Sequence, residues 1–500
     1  MKTLVQKYSC IVALLCLTAG CDSDISGSFG EDPDPGSADF STFVALGDSF
    51  TAGYADSALY RHGQQNSFPA IMAKQFALAG GGAFDQPLMP DGATGSLTIS
   101  MVDLDRSDRL VLAPNPVPDP DKPAVPLPVS PTDTTAIDLR IPGAGAFNNL
   151  GVPGAKSFHA LATGYGELNI GAIAGMTANP YFARFASSDT VTLLADTVAQ
   201  VPTFFVLWLG NNDILLYALD GADPTVNGES ITPVGTFDSD YNTVVSALTT
   251  SPTTKGILVN IPDLRTISYF NTVPYDSILM DEDTANLTNT DYAIYNDNLV
   301  TAEGLMLIDM DERIQRTINF VAGQNALVIE DESLTPVIGL PSIRQATAKD
   351  LIVLPASSKI GIEDTPGDPS TVWGVSKPLE DFDVLTETEI DNEIEPARVG
   401  TMGSMSYNST IQAAADADAN LLLFDADAFF TELNTTGILY GSGGISSTFG
   451  QGGGVSLDGV HLTARGNAAF ANEMFKVINA GFGGYIPPVD PSDYTTVFYQ

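Results

Sequence analysis

Phe43-Val-Ala-Leu-Gly-Asp-Ser-Phe-Thr-Ala-Gly53 joins an apolar run to a glycine turn and a serine. Phe43 to Leu46 is a short apolar run, as a buried strand requires. Gly47 permits a tight turn, and a helix can follow from Ser49. A serine placed there sits at the carboxyl end of a strand, where open α/β sheets put their chemistry. The position predicts a nucleophile, provided that a base and an oxyanion site lie elsewhere in the chain.

Similar runs recur downstream. Thr203-Phe-Phe-Val-Leu-Trp-Leu209 is almost wholly apolar, as a strand covered on both faces should be. Gly256-Ile-Leu-Val-Asn-Ile261 and Asn420-Leu-Leu-Leu-Phe424 are alike. Helices are expected from a start at Ser67-Phe-Pro69 to Leu78, with Ser67 as the cap, and near 156–164, 239–248, 298–322 and 405–416. The last long helix is expected after Thr463, with Phe470, Met474, Val477 and Ile478 along one face. Buried strands alternating with helices predict an α/β three-layer sandwich, its mostly parallel sheet flanked by helices and carrying long insertions.

The chain of 500 residues carries 61 acidic and 21 basic side chains, a formal charge of -40. Such a surface repels nucleic acid. Lys2 and Lys7 precede an apolar stretch, Ile11 to Ala19, too short to span a bilayer. It runs into Leu17-Thr-Ala-Gly-Cys21, which resembles a bacterial lipoprotein signal. Residues 1–20 are then a signal peptide and Cys21 carries lipid. The expected location is the bacterial cell envelope, at the outer membrane on its periplasmic or outer side. Cys10 and Cys16 fall in the removed segment, so the mature body has no disulfide.

Residues 21–40 are acidic and rich in Gly, Pro and Ser, and predict a flexible tether. The domain is expected over 41–485, with insertions near 86–134 and 330–398 and a tail over 486–500. Between Pro114 and Pro131 prolines are too dense for a central strand, so a surface excursion is expected, with a hairpin near 95–112. Ala326 to Ile329 has the makings of another short strand. Residues 441–454 contain seven glycines and are expected to form a loop that is costly to order.

A serine nucleophile needs a base, and the chain has only three histidines, His62, His159 and His461. His461 ends Asp458-Gly-Val-His461, in which the acid can turn back through the glycine and accept the Nδ1 proton. His62 and His159 are expected to be structural or exposed. The developing oxyanion needs donors, each worth roughly 3–4 kcal/mol when well placed. The Ser49 and Gly154 amides and the Asn212 side chain are candidates, and Asp213 is read as loop support. Three scattered histidines do not resemble a zinc site, and Asp416, Asp418, Asp425 and Asp427 lack the spacing of a calcium loop. No phosphate-cradling loop is present, and neither a cofactor nor a metal is expected.

Gly47-Asp48-Ser49, Gly154, Gly210-Asn211-Asn212-Asp213 and Asp458-Gly459-Val460-His461 resemble, in order, the four sequence blocks of the SGNH (GDSL-type) hydrolases. The resemblance implies that Ser49 is the nucleophile and that Asp458 and His461 complete a triad. It also implies that Gly154 and Asn212 complete an oxyanion hole with the Ser49 amide. The first block carries Phe50 where the family name implies leucine, a swap between apolar residues. The chain is also much longer than small family members, which bears on the substrate more than on the reaction. The expected activity is that of a serine esterase or lipase on an ester substrate, with carbohydrate acetylester as an alternative. A non-catalytic surface lipoprotein that binds glycan or peptide is the rival from another class.

Overall fold

The computed structural model describes residues 32–499 except 100–101, 104–107, 116–123, 130–134 and 442. The signal peptide, Cys21 and five of the clustered prolines lie outside the described residues. At the centre is a five-stranded sheet made of β1 (Phe43–Gly47), β2 (Asn149–Gly151), β3 (Phe204–Trp208), β4 (Lys255–Val259) and β5 (Leu421–Phe424). Its order is β2-β1-β3-β4-β5, and every neighbouring pair is parallel. β1 and β3 are buried along their whole length, which is why both read as unbroken apolar runs.

Helices flank the sheet. The helix Phe68–Leu78 packs against the last long helix, Ala464–Phe482, and Val234–Leu248 packs against Tyr407–Ala417. Phe204 and Trp208 meet Phe76, Phe470 and Phe482 of the first helix pair. One apolar cluster runs from Phe43 through the sheet into the chain between β4 and β5, so that long connection shares the core of the sheet.

Local expectations were met unevenly. Thr463 caps the last helix, accepting the Gly466 N–H at 3.0 Å. Ser67 does occupy the cap position before Phe68, but its hydroxyl donates to the Gln64 carbonyl, and the Phe68 N–H is taken by Asn467 of the last helix. The helix expected near 298–322 is two, Glu282–Gly304 and Met310–Arg316, separated by a turn in which Met306 has φ +58°. Residues 157–161 form a single 3-10 segment in place of a longer helix. Val328–Glu330 is a strand, but it pairs antiparallel with Ile343–Gln345 outside the central sheet. Buried Arg344 bridges Asp331 and Asp350 there, a fully paired charge that ties this connection together.

The proline-rich excursion holds a small pairing at 97–99 with 102–103 and a longer hairpin, Leu110–Pro114 with Ala124–Pro128. Pro126 and Pro128 are tolerated because they face Leu112 and Leu110, whose own N–H groups point away from the pair, to Phe498 and Asp56. The expected tether does not extend to residue 40. Asp34 bridges to Tyr485, and Ala38 and Phe40 are buried in the core, because this segment carries the apolar residues that a free tether lacks. Residues 486–499 also lie on the body, with Ile486 buried and Phe498 packed near Tyr60. The glycine-rich stretch is partly paired: Ile438–Tyr440 and Gly443–Ile445 form a hairpin.

Candidate active site

β1 ends at Gly47, where a Cβ would come within 2.1 Å of the Thr51 hydroxyl and 2.7 Å of the Trp208 carbonyl. Only glycine lets the chain fold back so closely into the four-residue helix Ser49–Ala52. Asp48 caps that helix, accepting the Phe50 N–H at 3.0 Å, and its other oxygen accepts from the Asn211 side chain at 2.8 Å. Ser49 is thereby held at the carboxyl end of β1. In the sheet order, β1 lies between β2 and β3 at the point where strand succession changes direction, and that crevice is where such sheets bind ligands.

The far end of the chain supplies the base. His461 Nε2 lies 2.7 Å from Ser49 Oγ, and its Nδ1 lies 3.0 Å from Asp458 Oδ2. The imidazole is flanked by the Phe50 and Tyr54 rings, each with its centroid 4.9 Å away. The Asp458 side chain is 10 % exposed and accepts from five groups. Oδ2 takes the Ser57 N–H and the His461 ring; Oδ1 takes the Ser456 hydroxyl and the Val460 and His461 N–H groups. Burial alone would raise its carboxyl, but His461 and these donors outweigh that and hold it well below the usual carboxylate range. Asp458 is therefore ionised at any working pH, and it orients the ring so that Nε2 faces the serine.

Gly154 and Asn212 line the same cavity as Ser49, Asp458 and His461. Gly154 follows β2 in a turn at φ +79°, a conformation that favours glycine. Asn212 opens the helix Asn212–Leu219 after β3 and donates one side-chain N–H to the Ala155 carbonyl at 3.0 Å. Among the described residues, no protein acceptor takes its second N–H or the backbone N–H groups of Ser49 and Gly154. Asp213 accepts from the Ser157 hydroxyl and N–H at 2.6 and 2.8 Å, and so fastens the Gly154 segment to the Asn212 helix.

The other two histidines do not line this cavity. His159 accepts the Lys156 N–H and stacks on Tyr165, and burial lowers its pKa to about 4. His62 is bonded to Thr495 in the C-terminal segment. Outside the cavity lining, Glu332, Asp381 and Glu389 bring carboxylate oxygens within 4.8 Å of one another. Burial first, and then the neighbouring Glu332 carboxylate, raises the Asp381 and Glu389 carboxyls above the usual carboxylate range. Sequence reasoning missed Asn211 and Ser456. The first sits in the quoted Gly-Asn-Asn-Asp block and the second just before the Asp-Gly-Val-His block, but neither pairing is visible without the fold.

Asp48 leads to a stability prediction. Burial pushes its carboxyl up to about 6, against the pull of Asn211 and the Phe50 N–H. The folded protein thus keeps a proton that the unfolded chain has already lost, and stability falls as pH rises through roughly 4 to 6. The difference amounts to about 3 kcal/mol at most. Asp48→Asn is expected to lose less stability than the wild type between about pH 4.5 and 7.5 in urea denaturation. Parallel stability curves for the two proteins would contradict this.

A hydrogen-bonded Ser49–His461 pair supported by Asp458, with unspent donors beside it, is the arrangement of a serine hydrolase acting on ester bonds. A serine from the start of the chain and a histidine from its end match an SGNH-type pair. The chain matches no family model, no curated protein and no solved structure.

Proposed function

We propose that this protein is an SGNH-type carboxylic-ester hydrolase working through an acyl-enzyme. His461 takes the Ser49 proton as Oγ attacks the ester carbonyl. The tetrahedral oxygen sits among the Ser49 and Gly154 N–H groups and the Asn212 side chain. His461 then protonates the departing alcohol, and water releases the acyl group by the same steps in reverse roles. The observation that carries this is the 2.7 Å contact between His461 Nε2 and Ser49 Oγ, with Asp458 behind the ring.

The cavity beside Ser49 measures about 370 Å³ and is walled by Leu215, Leu216 and Leu219 with Tyr54, Tyr181 and Tyr269. This wall favours an apolar acyl group over a bare acetyl on a sugar. A lipid on Cys21, as the sequence implies, would hold such a site at a membrane. The test is hydrolysis of a chromogenic ester series from acetyl to dodecanoyl, beside acetylated sugars. We expect kcat/KM to rise from acetyl into the medium chains. Acetylated sugar turned over faster than every longer acyl ester would overturn the acyl-chain assignment in favour of a carbohydrate acetylesterase. A folded protein inert on all of them would favour the glycan- or peptide-binding alternative.

A further inference from the structure

The residues just after the serine helix make a tight turn with no evident need of its own. Ala55 and Ala58 exchange both backbone hydrogen bonds, at 3.1 and 3.0 Å. The two residues between them, Asp56 and Ser57, sit at φ +54° and +64°. A turn of this shape suits Asn-Gly or Asp-Gly, so Asp56 takes the first place readily, but Ser57 stands where glycine is preferred and holds its positive φ against its preference. Backbone strain kept beside reacting groups points to a use for the geometry that it enforces.

What the turn enforces is a set of contacts with a segment some 401 positions away. The Ser57 N–H reaches Asp458 Oδ2 at 3.1 Å. The Asp56 N–H reaches the Ser456 hydroxyl at 3.1 Å, and that hydroxyl donates to Asp458 Oδ1 at 2.9 Å. The Asp56 carboxylate, only 2 % exposed, accepts the Leu457 N–H at 3.0 Å and the Tyr60 hydroxyl at 2.9 Å. Arg109 lies against both Tyr60 and Phe498, 4.7 Å from each ring centroid, and Leu110 donates to the Asp56 carbonyl. The turn is thus gripped from behind by the proline-rich hairpin and the C-terminal segment, and in front it grips both oxygens of Asp458.

We propose that Asp56 is a positioning residue for the Asp458–His461 pair, setting through its turn the direction from which Asp458 addresses the imidazole. The proposal rests on Ser49–His461–Asp458 being the reacting set. Asp56 touches no reacting atom. It ties Leu457 and Ser456 to the turn, so that the Asp458 carboxylate stays rotated toward Nδ1. Removing its side chain leaves the Leu457 N–H and the Tyr60 hydroxyl without their acceptor and frees the turn to relax into an unstrained form.

The test compares Asp56→Ala and Asp56→Asn with the wild type. Two readouts are used: turnover per serine titrated with an organophosphonate, and the low-field proton NMR signal of His461 Nδ1–H, tractable with only three histidines in the chain. Asparagine keeps an oxygen for Leu457 and an amide that the Tyr60 hydroxyl can meet. We expect Asp56→Ala to lower kcat about 10- to 100-fold per titrated site, as a small misplacement of a catalytic group does. KM should stay within about threefold, and the low-field signal should shift or broaden. Asp56→Asn should restore both readouts. A purely structural role would lower melting temperature and the titratable fraction but leave kcat per site and the NMR signal alone, and that result would overturn the proposal. If Asp56→Ala does not fold, Asp56→Gly, which also lacks the acceptor but suits the positive φ, decides it by the same two readouts. Absence of ester hydrolysis in the wild type would remove the hydrolase reading, while the NMR comparison, made without substrate, would still decide the positioning role.

Discussion

Replacing Ser49 with alanine is expected to lower ester hydrolysis by about 10⁴-fold or more, with the fold intact. Ser49 Oγ is the hydroxyl in contact with His461 Nε2, so it is the group that can attack a bound carbonyl with base assistance. What remains in the variant is binding and the unspent donors, which support only a small residual rate. Stability should change little. The side chain makes one hydrogen bond, to a histidine that keeps its bond to Asp458, and such a bond contributes about 1 kcal/mol. Circular dichroism and melting temperature would confirm that the variant is folded. Activity within about tenfold of the wild type would mean that another residue does the chemistry.

Asp458→Asn is expected to cost about as much, on the order of 10⁴-fold in kcat, for a reason that lies in how its two oxygens are used. The Oδ1 side meets three donors, the Ser456 hydroxyl and the Val460 and His461 N–H groups; the Oδ2 side meets the Ser57 N–H and His461 Nδ1. An asparagine has a single oxygen, and it satisfies more donors by turning that oxygen to the Oδ1 side. Its NH2 then faces Nδ1, which must accept instead of donate. The ring is driven to the tautomer protonated on Nε2, and that nitrogen can no longer take the serine proton. The loss should appear in kcat, with KM nearly unchanged, because no substrate contact has been altered. A loss below about tenfold would show that Asp458 does not set the tautomer.

The parts of the fold that were legible in the sequence are those where one physical signal acts alone. Phe43 to Leu46 and Phe204 to Trp208 are buried on both faces, so composition alone marks them as strands. The last helix combines a serviceable cap at Thr463 with a continuous apolar face, and it begins where expected. The start of Glu282–Gly304 was hidden because its polar Thr, Asn and Asp residues give a weak pattern, and Leu287 and Ile294 are exposed and blur the buried face. The pairings of two or three residues between β4 and β5 are too short to leave a period.

The same division holds in the site. Ser49, Asp458 and His461 are readable because each lies in a short motif whose residue types the chemistry requires. Asp48–Asn211 and the Asp56 turn are not readable, because their partners lie 163 and about 400 positions away and depend on the sheet to meet. Asn467 taking the place of Ser67 as a cap is the same kind of miss: a local rule was overridden by a residue from the other end of the chain.

The most direct test of the central claim is labelling with a fluorescent organophosphonate, followed by mapping of the modified peptide by mass spectrometry. One adduct per chain is expected, on Ser49, formed rapidly in the wild type and nearly lost in His461→Ala, since the hydroxyl attacks phosphorus only when Nε2 takes its proton. An unlabelled wild-type protein, or an adduct on another residue that forms equally well in His461→Ala, would contradict it.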